Sequence, residues 1–270
     1  MGYKDLLVHI DSSPQCAARL ALAVTLARRF AAHLTGLYVM PSLTISPFIA
    51  DQFPTAMLDE GHARIAQLRD DAAALFAAAS QPLGSEAEWC ETRGDLVDAV
   101  RLAARNADLA ILGQADSNAE RADLPAQVVM GSGHPALLVP SAGTFANVGG
   151  RVVVAWNGSA QAARAVNDAL PFLQSAERVI VVTVSPGGNI AEDADIARHL
   201  ARHGVQAEIS DIVTNRHGSV GDLLLSRASD EAADLIVMGA YGHSRLHEFV
   251  LGGVSRALLT HTTVPVLMAH

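Results

Sequence analysis

The chain has 270 residues, half of them hydrophobic but only 4% aromatic, and a formal net charge of −9. That charge, with no basic patch interleaved with aromatics, argues against nonspecific nucleic-acid binding, which needs clustered Lys and Arg. No apolar run approaches the roughly 18 residues of a membrane span, and the two cysteines, Cys16 and Cys90, make neither a disulfide framework nor a zinc site.

Met1 to Ile10 enter a strand directly, without the charged-then-apolar layout of a secretory leader, so a soluble, cytoplasmic protein is expected. A helical pattern follows, in which Leu20, Ala23, Val24 and Ala27 recur at the spacing of one buried face, and Cys16 sits in it as an ordinary thiol. Pro54 to Ala79 reads as a longer helix, and a strand surrounds Trp89 and Cys90. Asp108 to Gly113 and Ala136 to Pro140 are the last strands of the first half, with Gly131-Ser132-Gly133 read as a flexible turn before the second of them. Ser141 to Gly150 reads as a short linker. Beyond it, strands are predicted at Arg151 to Trp156, Arg178 to Val184, Gln206 to Val213, Leu235 to Gly239 and Val264 to Ala269. Helices are predicted between them at Ser159 to Gln174, about Ile190 to His203, and Val220 to Glu231, with a last one ending near His261.

The two halves repeat each other in order. Leu7-Val8-His9-Ile10-Asp11-Ser12-Ser13 resembles Val153-Val154-Ala155-Trp156-Asn157-Gly158-Ser159, and Arg93-Gly94-Asp95-Leu96 recurs as Val220-Gly221-Asp222-Leu223. Asp108-Leu109-Ala110-Ile111-Leu112-Gly113 recurs as Asp234-Leu235-Ile236-Val237-Met238-Gly239, and His134-Pro135-Ala136-Leu137-Leu138-Val139 returns around Val264-Pro265-Val266-Leu267-Met268. The chain is therefore read as a duplication. Alternating strands and helices imply right-handed crossovers and a parallel sheet covered on both faces. The predicted fold is α/β: two tandem, doubly wound, five-stranded Rossmann-like domains over 1–142 and 150–270.

One loop carries chemistry. Gly239-Ala240-Tyr241-Gly242 follows a strand, nine residues intervene, and Gly252-Gly253-Val254-Ser255 opens a helix. Paired glycines let backbone approach a ligand closely, and a helix start offers free N–H groups and a positive dipole end. Together they suit a phosphate chain. Glycines that only permit tight turns and close packing are the plainer alternative.

These residues resemble the universal stress protein family over nearly the whole chain. ATP-binding members carry Gly-x2-Gly-x9-Gly-(Ser/Thr) after the fourth strand; here Gly239, Gly242 and Gly252 match, and Gly253 replaces the hydroxyl residue. The backbone N–H groups of Gly253, Val254 and Ser255 remain, with the Ser255 hydroxyl nearby. The resemblance implies that Asn157 meets the nucleoside, that the Val184 backbone reads the adenine edge, and that Met238 and Gly239 lie beside ribose and phosphates. The implied ligand is ATP, or AMP or ADP; whether magnesium accompanies it is left open, since no acidic clamp is visible near the loop. In the first half Gly113 is kept, but Asp116 replaces the second glycine and would repel phosphate. That half is also four residues shorter between Gly113 and Pro135 than the second is between Gly239 and Pro265. It is expected to hold no nucleotide. The family's single-domain members pair through their last strands, which implies an intramolecular pseudo-dimer here and leaves a further homodimer open.

Other sites carry less. His199/His203 and His243/His247 have i,i+4 spacing and read as solvated surface residues, while Arg245, inside the loop, is a candidate phosphate partner. There is no nucleophile elbow and no Walker A lysine, and since no general base or transition-state cation is evident, any ATP hydrolysis is expected to be slow. The function expected is a nucleotide-responsive stress protein; the alternative is a nucleotide-free interaction module whose phosphate loop has drifted.

Overall fold

A computed structural model describes residues 2–41, 55–114, 124–184, 190–212, 220–240 and 258–270. The first half runs β1 (Asp5–Ile10), α1 (Cys16–Phe30), β2 (His33–Met40), α2 (Thr55–Ser80), β3 (Ala87–Arg93), α3 (Leu96–Ala104), β4 (Leu109–Gly113), α4 (Leu124–Ser132) and β5 (Ala136–Val139). The second runs β6 (Arg151–Trp156), α5 (Ala160–Asp168), α6 (Leu170–Leu173), β7 (Arg178–Val184), α7 (Ile190–Arg202), β8 (Ala207–Ile212), α8 (Val220–Asp230), β9 (Leu235–Gly239) and β10 (Val266–Ala269). Residues 258–261 are helical and precede β10.

All these strands form one ten-stranded sheet in the order β3-β2-β1-β4-β5-β10-β9-β6-β7-β8. Within each half every pairing is parallel; β5 and β10 alone meet antiparallel, with Leu137 opposite Leu267. The last strands of the two halves therefore pair within one chain, and the edges they would otherwise expose are covered. Their apolar runs follow from that position: residues of β5 and β10 are at most 2% exposed, as central strands covered on both faces must be. Alternate residues feed two layers. Leu6, Val8 and Ile10 of β1 join one core with α1, including Leu20, Ala23, Val24 and Ala27, and Leu7 faces the other with α3 and α4.

The duplicated aspartates have a structural reason. Asp108 accepts hydrogen bonds from the backbone N–H groups of Lys4 and Asp5, and Asp234 does the same for Gly149, Gly150 and Arg151. Each carboxylate ties the entry of its half's first strand to the strand beside it, so the far end of the linker is pinned rather than loose. An aromatic seam joins the halves: Phe172 is fully buried between Tyr3 and Phe30, at 5.6 and 5.2 Å between ring centroids. The Tyr3 hydroxyl donates to the Asp168 carbonyl, and Arg29 donates to the Val148 carbonyl.

Two predicted elements differ. The helix expected over Ser159 to Gln174 is broken into α5 and α6, because Pro171 has no N–H for the Asn167 carbonyl and crowds it. Gly131-Ser132-Gly133 is a capped helix end, not a flexible turn. Ser132 is buried in α4 and its Oγ exchanges hydrogen bonds with the His134 backbone, and Gly133 takes the left-handed φ of +82°.

Candidate functional site

The strand order reverses between β1 and β4 and again between β6 and β9. In a doubly wound sheet ligands bind beyond the carboxyl ends of the strands at such a reversal. In the second half, β6 ends at Trp156 and the chain turns through Gly158, whose φ is +69°. The exposed Asn157 builds the turn: its Oδ1 accepts from Ser159 N at 3.2 Å and Ser159 Oγ at 2.7 Å. Ser159 Oγ in turn accepts from Ala162 N at 3.1 Å and caps α5.

Across the reversal β9 ends in Met238, which is buried, and Gly239. A Cβ at Gly239 would stand 2.5 Å from the Gln161 carbonyl carbon and 2.9 Å from Ala162 Cα, so the first turn of α5 rests directly on this glycine. Only a residue without a side chain permits that approach. Val184 ends β7, paired with Ile212. Asn157, Val184, Met238 and Gly239 thus stand at the carboxyl end of three adjacent strands. Gly242, Gly252, Gly253, Val254 and Ser255 lie outside the described residues, as do His243, Arg245, His247 and Asp116.

Beside this edge a cleft of about 450 Å³ opens between α5 and α7, lined among others by Trp156, Val166, Asn167, Ile196 and His199. Trp156 Nε1 is buried there without a hydrogen-bond partner among the described residues. His199 is half-buried, with Nε2 3.3 Å from Asn167 Oδ1. It forms part of the wall of this open cleft; its neighbour His203, with ring centroids 4.7 Å apart, is exposed. Among the described residues no group of three or more His, Cys, Asp or Glu could hold a metal, and no helix is long and apolar enough to cross a membrane.

The first half repeats the turn with a different filling. Asp11 Oδ1 accepts from Ser13 N and Oγ, at 3.0 and 2.5 Å, as Asn157 does from Ser159. Arg19, only 2% exposed, lies inside the crevice. Its Nε donates to the His9 carbonyl at 2.9 Å, and its Nη2 stands 3.0 Å from Asp11 Oδ1, a charge contact without hydrogen-bond geometry. Burial by itself would raise the Asp11 carboxyl; the Arg19 charge, the Ser13 hydroxyl and His9 outweigh it together and hold it down from 3.8 to about 2. Burial pushes the Cys16 thiol up against the pull of Arg19, so it stays protonated and unreactive at neutral pH. The Arg19–Asp11 pair escaped the sequence reading. Its one visible signal is an arginine within the first turns of a helix whose register is otherwise apolar.

The family model described as the universal stress protein family matches residues 2–140 and 150–270. Among solved structures, a universal stress protein from Archaeoglobus fulgidus is 18% identical and superposes with a TM-score of 0.75, covering 98% of this chain and 96% of its own. A functionally unknown protein from Pseudomonas aeruginosa is 16% identical with a TM-score of 0.60, covering 99% of this chain and 92% of that one. At these identities the likeness is one of fold. A universal stress protein of a Synechocystis strain is 34% identical over 68 residues, which span 25% of this chain and 22% of that protein.

Proposed function

The chain belongs to the universal stress protein family through two tandem domains, and from that premise we propose that its second half binds an adenine nucleotide, ATP or its relatives, and acts as a regulatory protein in stress responses. The observation that carries this reading is the carboxyl edge of β9 and β6. These adjacent strands end at a reversal of the strand order, with Gly239 closing β9 and Asn157 following β6; the side-chain position of Gly239 is itself taken up by the first turn of α5. An amide carries both donor and acceptor groups, so Asn157, though its Oδ1 accepts from Ser159 in the turn, is of a residue type that suits a ribose or adenine edge. Gly239 begins the Gly-x2-Gly-x9-Gly pattern, and the N–H groups of Gly253, Val254 and Ser255 would take the phosphates at the helix start. Val184 and Met238 would border the base and sugar. The first half serves as the scaffold that covers β10. Cytoplasmic localisation belongs to the same proposal.

A second reading, a nucleotide-free interaction module, draws on Gly253 in place of a hydroxyl residue and on Asn157 in place of an acid. Mass spectrometry of ligand released from freshly purified protein separates the two. An adenine nucleotide near one per chain supports the first. Empty protein that also ignores millimolar ATP refutes it and favours the second.

A further inference from the structure

We propose that Arg19 is an internal ligand of the first half: its guanidinium fills the crevice at the β1–β4 reversal, where the second half packs helix backbone against its glycine. The two halves are each other's control. The repeat sets Asp11 with Asn157, Ser13 with Ser159, Arg19 with Ala165, and Gly113 with Gly239. In the second half, the backbone of α5 sits on Gly239. In the first, no α1 backbone atom comes within 4 Å of the corresponding Cβ position at Gly113; what stands there is the Arg19 guanidinium, with Cζ 3.4 Å away and Nη1 closer. Helix α1 is therefore held off the sheet edge, and Arg19 occupies the gap. Ala165, fully buried at the equivalent place, cannot reach across it.

The guanidinium is held on three sides: by the His9 carbonyl at Nε, by the Asp11 carboxylate at Nη2, and by the bare face of Gly113 at Nη1. A planar fork with its charge met by one carboxylate fits such a slot in a way that a compact ammonium does not. This also changes the meaning of Gly113. The sequence presents it as the remnant of a phosphate loop, but the group that lies against its bare face is the Arg19 guanidinium. The crevice is thus a guanidinium-binding site whose ligand is supplied by the chain itself.

The test uses the full chain with Arg19→Ala and methylguanidinium chloride at millimolar concentration, against matched sodium chloride. The variant should melt several degrees below the parent. Methylguanidinium should raise its midpoint in a saturable way and leave the parent's unchanged, and methylammonium should do less. The double variant Asp11→Asn/Arg19→Ala, which copies the second half, should not respond. If Arg19→Ala does not fold alone, recovery on dilution from urea with methylguanidinium becomes the readout. An unchanged midpoint, no rescue, no recovery, or equal rescue of the double variant would each overturn the proposal. A parent that binds no ATP while the rescue succeeds would refute the nucleotide reading and leave Arg19 as the internal ligand.

Discussion

Asp11→Asn is the sharpest perturbation of the first half, because it swaps in the residue that the second half carries at Asn157. The Asp11 side chain is 14% exposed, and its carboxyl is held at about 2 against an ordinary 3.8. At about 1.4 kcal/mol per pH unit that difference contributes about 2 kcal/mol of stability. The native state holds this proton less tightly than the unfolded chain does, so the contribution is complete above pH 3.8 and is lost as pH falls towards 2. The variant also leaves the Arg19 charge buried without its carboxylate, and breaking a buried pair costs about 3–5 kcal/mol. Urea unfolding followed from pH 7 down to the lowest pH at which the chain stays folded measures both effects. The variant should be about 3–5 kcal/mol less stable at pH 7, with the gap closing by about 2 kcal/mol as pH falls through the window from 3.8 to 2. No gap at neutral pH, or a gap that does not change with pH, would refute the account of the pair.

Phe172→Ala removes the buried ring between Tyr3 and Phe30; it should cost about 3–5 kcal/mol in urea unfolding and separate the transitions of the two halves. Ser159→Ala deletes the cap on α5 and should cost about 1 kcal/mol in the same assay. Gly239→Ala drives a methyl into the backbone of Gln161 and Ala162; a loss of about 1–3 kcal/mol is expected, together with at least a tenfold drop in ATP affinity by calorimetry. Asn157→Ala should weaken ATP binding while leaving the thermal midpoint within a few degrees of the parent's.

Much of the fold was legible because strands covered on both faces read as unbroken apolar runs, and because the same blocks occur twice. The recurrence of Asp108 and Asp234 was visible, but its cause was not, since each carboxylate serves backbone groups far away in sequence. The break between α5 and α6 was readable from Pro171, yet the apolar spacing on either side concealed it. The site divided in the same way. Asn157, Val184 and Met238 were legible through the family resemblance and Gly239 through the glycine spacing, and the structure puts them at neighbouring strand ends, whereas Arg19 could not be singled out, because its meaning depends on Gly113, a residue of a different strand. A glycine facing a guanidinium, as Gly113 does, and one packed under a helix turn, as Gly239 is, look the same in sequence.

The measurement that tests the central claim most directly is calorimetric titration of the full chain with ATP, with and without magnesium, beside a Gly242→Asp variant that copies the first half. One ATP per chain, lost in the variant, is the result the account predicts. No heat of binding in the parent, or binding that survives Gly242→Asp unchanged, would contradict it.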